Sequence, residues 1–402
     1  MEEEVMEPVF KLEPLSYHKK VREYIRKNEE KVWEFFSDET TRKNEVEKFK
    51  MALLKNTYRL ENESNPKVYE ALEKAKKGLD FNYPTTVYQD ESAQELNAGI
   101  VFMDNEAHIV LSGPIISKLD ENELAALFGH EISHALLWNM ENGEFETTAK
   151  IITSIANDYS NDLRFHETAR LFDLYTEIFA DKGALKICGD KDVVISTLLK
   201  VSTGLKKVSA KDYLKQAKEI MAKETKGSDG YSHPENYIRA LAAEWMHDEP
   251  EKAEEKIMKI IEGKLNIEHL DIFLQEKVEK FTQKFIQLLT VPKWFQTNEV
   301  EQLAKDYFKN FKFVEDVELT DDDIKMVKES DELTKEYLAY VLMDFCMVDS
   351  DLSAVPFAKA FELSEELELH KIFEGIVIKE LKLSKKKFED MKKQWQDEVK
   401  KI

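Results

Sequence analysis

Little in this 402-residue chain punctuates or cross-links it. Twelve glycines and nine prolines are too few for the turn signal every roughly 8–12 residues that an all-β sandwich or barrel needs. Two cysteines, Cys188 and Cys346, stand far apart in apolar settings, which leaves neither a disulfide framework nor a thiolate zinc cluster. Basic residues are outnumbered, 58 against 80 acids for a formal net charge of −22, so a phosphate backbone is repelled and nucleic acid is not an expected partner. The longest mainly apolar stretch, Tyr337 to Val348, is broken by Asp344 and falls well short of the ~20 residues of a membrane span. The start, Met1-Glu2-Glu3-Glu4-Val5, is acidic where a secretory signal is basic, and no apolar segment follows it. Together these absences predict a soluble, cytoplasmic protein without a transmembrane segment.

What is present is helical periodicity. Hydrophobic residues are 42% and charged residues 34%, enough for a sizeable core under a well-solvated surface. The expected fold is mainly α with a small β-sheet, in two domains: 1–248, and a helical accessory domain over 249–402 beyond a linker at His247-Asp248-Glu249-Pro250. Residues 18–80 read as charged helices. Ala98–Met103 and His108–Leu111 read as a hairpin, although its turn lacks glycine. Asp120, with Glu123 three residues on, predicts a capping box and a helix running to about Met140. A long helical stretch over 144–187 follows, then a loop at Lys223–Ser232 and a helix starting at Pro234.

The sharpest chemical signal is His130-Glu131-Ile132-Ser133-His134. On a helix, residues i and i+4 differ by about 40° in direction, so the two histidines share a face and one metal, while Glu131 lies about 60° beyond the pair and reaches a water instead. Leu124, Phe128, Ile132, Ala135 and Leu136 fall on the core side, and Ala126 and Ser133 on the histidine side, leaving room there for a metal and substrate. A catalytic zinc needs a third protein ligand and an open position. Met140 and Leu137 occupy the positions where the extended metzincin pattern has histidine and glycine, which excludes that class. Glu177, in Glu177-Ile178-Phe179-Ala180-Asp181, is the better third ligand, and Asp181 one turn on is placed to accept the second ring N–H of a ligand histidine. In Ser232-His233-Pro234-Glu235, followed by Arg239, the histidine and arginine either aim donors at an oxyanion or belong to a helix start with an Arg239–Glu235 pair.

With these three blocks the sequence resembles metallopeptidase family forty-eight, the HtpX-like and CAAX-prenyl-protease-like zinc endopeptidases, over residues from about 60 to about 245. The Asn97-Ala98 pair and the run from Ile109 to Leu136 are similar to the family's strand and its lead-in to the motif. The resemblance implies a gluzincin-type peptidase domain with one zinc ion per chain, held by His130, His134 and Glu177. It implies Glu131 as general base, and His233 and Arg239 as transition-state stabilisers. Well-known members span membranes, so a prenylated or membrane-embedded substrate does not carry over. The C-terminal Ala339–Leu369 region is similar to TerB-like helical modules, and the lysine-rich end with Phe388, Met391, Trp395 and Val399 reads as a docked terminal helix.

The reading that follows is a zinc endopeptidase acting on a protein or peptide substrate, bound in part by strand addition at Asn97 and Ala98. The alternative is a catalytically weak or latent metal-binding protein that works by engaging a protein partner through its C-terminal domain.

Overall fold

Asp120 starts the helix around which the first half of the chain is arranged: its side chain accepts from the Glu123 N–H, and the Glu123 carboxylate accepts from the Asp120 N–H. The computed structural model describes residues 11–37, 43–91, 94–158, 163–224, 226–353 and 355–399. It divides into two units, Met1–Gly263 and Lys264–Ile402. The first holds α1 (Ser16–Asn28), α2 (Glu30–Ser37), α3 (Lys43–Asn56), β1 (Thr57–Arg59), α4 (Pro66–Gly78), β2 (Thr85–Asp90), β3 (Asn97–Met103), β4 (Glu106–Ser112) and α5 (Ile115–Lys118). It continues with α6 (Glu121–Asn139), α7 (Glu144–Ala156), α8 (Leu163–Cys188), α9 (Lys191–Thr203), α10 (Ala210–Met221), α11 (Asn236–Asp248) and α12 (Pro250–Glu262).

The sheet runs β1-β2-β4-β3, with β2 and β4 parallel and the other pairs antiparallel. The β3–β4 hairpin closes through Asp104 and Asn105 at φ 52° and 59°; these residues supply the left-handed turn that glycine usually provides. Strand β3 lies at the sheet's edge. One face of α6 packs on α4 and the sheet through Leu124, Phe128, Ile132 and Ala135, which share a core with Leu72, Val87 and Ile109. Its other face packs on α8.

The fold is mainly α with a small sheet, as the scarcity of turn residues implied. Several local expectations shift. The stretch read as helix over 18–80 contains the short strand β1, paired with β2. The long stretch at 144–187 is two helices, α7 and α8. Helix α11 begins at Asn236 rather than Pro234, because the Glu235 carboxylate folds back to accept from Ser228 Oγ (2.6 Å) and the Asp229 N–H (2.8 Å). The expected linker is a tight joint between α11 and α12; α12 packs on α11 and belongs to the first unit, so the division falls at 263/264.

The second unit is helical: α13 (Ile272–Thr290), α14 (Asn298–Tyr307), α15 (Asp321–Glu329), α16 (Glu332–Met347), α17 (Val355–Glu366), α18 (His370–Glu380) and α19 (Lys385–Val399). Its core gathers Phe285, Phe295, Phe345, Phe373, Phe388 and Trp395. Phe388 and Trp395 bury the apolar face of α19, with Met391 packed alongside, whereas the Val399 side chain lies outside those described.

Candidate metal centre

Two helices in close contact bring the ligand candidates together. At the crossing of α6 and α8, a Cβ on Gly183 would collide with the Ser133 hydroxyl, so glycine is what lets the helices approach. Ser133 itself is buried in this contact, with its hydroxyl donating to the Gly129 carbonyl. It therefore does not open space beside the histidines, as its position on the helical wheel suggested; Ala126 does line the cleft.

From α6, His130 Nε2 and His134 Nε2 approach to 3.2 Å. From α8, the Glu177 carboxylate lies 3.5 Å from each of them. His130 is nearest Oε2 and His134 nearest Oε1. Donors about 2.0–2.1 Å from one tetrahedral zinc stand roughly 3.3 Å apart, close to the histidine–histidine distance and to the reach from each histidine to its nearer carboxylate oxygen. The donor chemistry fits as well. Asp181 Oδ1 lies 3.0 Å from His130 Nδ1, so the ring proton belongs on Nδ1 and the Nε2 lone pair faces His134. The buried Glu177 Oε2 has no hydrogen-bond partner, although Arg239 Nη1 is 3.3 Å away as a charge partner. A cation among these donors satisfies every one of these groups. Among the described residues, His130, His134 and Glu177 are the cluster able to hold a metal ion.

Arg239, from α11, grips Asp181 with two donors, Nε to Oδ2 at 2.8 Å and Nη2 to Oδ1 at 2.6 Å. The local pairing with Glu235 is not formed; the arginine reaches across to α8 instead. Burial opposes the Asp181 charge, but Arg239 and His130 together hold its carboxyl well below the ordinary range. Burial opposes a charge on His130 too, and the Asp181 and Glu177 carboxylates outweigh it to raise that imidazole. Burial, reinforced by His130, pushes His134 down to about 4, which keeps it neutral as a ligand must be. Glu131 is 5% exposed, and burial pushes its carboxyl up to about 7. At the rim, His233 Nε2 lies 3.5 Å from Glu177 Oε1, and His233 Nδ1 lies 2.8 Å from Ser232 Oγ.

All of these groups except Ser232 open onto a cleft of about 460 Å³. Asn97, Ala98, Gly99 and Ile100 of the edge strand form one wall, and the Ala98 N–H donates to Asn97 Oδ1 at 2.9 Å. Val194, Leu198 and Val201 of α9, with Thr197, also line the cleft, an apolar contribution the sequence does not anticipate. Lys200 secures α9 by pairing with the buried Glu123 at 2.6 Å. The spacing of these α9 residues is legible in the sequence as an amphipathic helix, but nothing local tells cleft from core. Among the described residues, no helix is long and apolar enough to cross a membrane.

Residues 62–247 match the model of a family described as Peptidase family M48. No curated protein and no solved structure matches the chain.

Proposed function

We propose that this chain, whose residues 62–247 match the model of peptidase family M48, is a zinc-dependent endopeptidase of that family, with its zinc held by His130, His134 and Glu177. The observation that carries this reading is the convergence of those donors, the two histidine Nε2 atoms 3.2 Å apart and each 3.5 Å from a Glu177 oxygen, beside a buried carboxylate in a cleft lined by an edge strand. Bound there, zinc supplies Lewis acidity toward a water and toward the scissile carbonyl oxygen.

The chain's own groups do the rest. Glu131 takes a proton from the attacking water as its oxygen bonds to the carbonyl carbon, then delivers that proton to the amide nitrogen as the C–N bond breaks. Asp181 Oδ1 fixes the His130 tautomer by accepting from Nδ1–H. Arg239 holds Asp181 in place through Nε and Nη2 and adds positive potential at the oxyanion. The Ser232 hydroxyl donates to His233 Nδ1, leaving Nε2–H to donate to the oxyanion. An extended substrate pairs with β3 once the Asn97 side chain turns away from the Ala98 N–H, so main-chain recognition sets the binding mode.

Metal content and casein cleavage of the wild type beside Glu131→Gln test this reading. One zinc per chain in both, with cleavage only in the wild type, is the expected result. Absence of bound metal in both sinks the assignment.

A further inference from the structure

His233 has a solvent-exposed side chain, 60% accessible, yet the proposed chemistry needs its Nε2 at a fixed point over Glu177. Its contacts with Ser232 Oγ and Glu177 Oε1, at 2.8 and 3.5 Å, are too slight to hold it there. Its position is therefore set by the backbone of the loop that leads to it.

That loop is clamped from outside the cleft. Arg170 Nη1 donates to two of its carbonyls, Ser228 O at 3.0 Å and Gly230 O at 2.7 Å. The same guanidinium is oriented by a two-point pair with Glu167, Nε to Oε2 at 2.8 Å and Nη2 to Oε1 at 2.6 Å. Both side chains are largely buried, 16% and 12% exposed, so this pair escapes the screening that weakens surface ion pairs. The loop is closed on itself: Gly230 packs against the His233 carbonyl so tightly that a Cβ there would collide with it. At its base, the Ser228 N–H donates to the Ile261 carbonyl at 2.8 Å. A displacement of the Gly230 carbonyl is thus passed to the His233 backbone.

Arg170 also sits on the helix that carries the metal-ligand candidate. It lies seven positions before Glu177 on α8, so the two point within about 20° of one another and stand about 10.5 Å apart along the axis. One rigid element spaces the loop clamp from the reaction centre.

We propose that Arg170, oriented by Glu167, is a positioning residue that holds the Ser228–His233 loop so that His233 Nε2 meets the transition state. The proposal rests on the reading of His233 as an oxyanion donor. Sequence spacing gives no hint of it, since the contacts of Arg170 with the loop span 58 and 60 residues.

The test compares the full-length wild type, His233→Ala, Arg170→Met and the double variant on labelled casein, with metal content and melting temperature measured for each. Arg170→Met is expected to lower kcat about tenfold to hundredfold with KM within about twofold, the size of effect that misplacing a reacting group by about 1 Å produces. In the His233→Ala background the same substitution is expected to add nothing. Arg170→Lys, which keeps a cation for the two carbonyls, recovers part of kcat and serves if the Met variant does not fold. A second readout needs neither metal nor activity: amide exchange over residues 226–235 of the metal-free chain should speed up in Arg170→Met and not in His233→Ala. Independent, multiplicative losses in the double variant, or unchanged exchange, overturn the proposal. A loss in His233→Ala with none in Arg170→Met removes the proposal alone, whereas an unchanged kcat in His233→Ala removes the reading beneath it.

Discussion

At the scale of single residues, burial decides protonation, and the effect is cleanest at a histidine that does not line the cleft. His18 of α1 is fully buried, packed edge-on to Phe172 at a centroid distance of 4.8 Å, with Nε2 3.2 Å from Thr176 Oγ1. Burial pushes its imidazole from 6.5 down to about 3. Between those values the unfolded chain binds a proton that the folded chain refuses, so this group costs stability as pH falls, by about 1.4 kcal/mol per pH unit. Urea midpoints at pH 7, 6 and 5 should fall less steeply in His18→Leu than in the wild type; equal slopes would contradict the assignment. Asp181→Asn should retain the fold but weaken zinc about tenfold to hundredfold, measured by chelator competition, since the Arg239 grip and the His130 tautomer both depend on that carboxylate. The placing of His130, Glu131 and His134 on one helix was legible because their relation is local, within five consecutive residues. The partner of Arg239 was not, because the nearby Glu235 is a plausible mate on spacing alone and only tertiary packing brings Asp181 closer.

At the scale of elements, the α6–α8 contact brings the candidate ligands together, since one helix supplies the histidines and the other the carboxylate. Gly183→Ala should cost about 1–3 kcal/mol through overpacking against Ser133 and should also lower zinc affinity, because a wedge between the helices moves Glu177 away from both histidines. Melting temperature and metal titration read the two effects separately; a drop in melting temperature with unaltered zinc affinity would show that the ligand geometry does not depend on this contact. Removing the cap at the start of α6 with Asp120→Ala should cost about 1 kcal/mol, read from the urea midpoint, without changing the ligand set. That cap was legible because its four-residue signature is self-contained. Strand β1 was not: three residues, Thr57–Arg59, are too few to display alternation, and their pairing with Tyr88–Asp90 exists only in the folded sheet.

At the scale of the whole molecule, each of the two units has an aromatic or aliphatic core of its own. Unfolding followed by calorimetry should therefore show two transitions that respond to different perturbations. Chelator should lower the one belonging to Met1–Gly263, and Phe345→Ala should lower the other by about 3–5 kcal/mol without altering zinc content. A single transition moved by both treatments would contradict this. The boundary was misplaced by one helix in the sequence because Pro250 resembles a linker signal, whereas in the fold it occupies the first turn of α12. Chain length, as distinct from residue identity, is constrained unevenly along the molecule. Arg170, Glu177 and Asp181 share one face of α8, so an insertion of a single residue between the first two would turn the loop anchor about 100° away from the ligand. Related chains are thus expected to keep the count of residues between 171 and 176, and to absorb insertions after Gly204, where α9 has ended at a left-handed glycine and mostly exposed residues lead to Ser209.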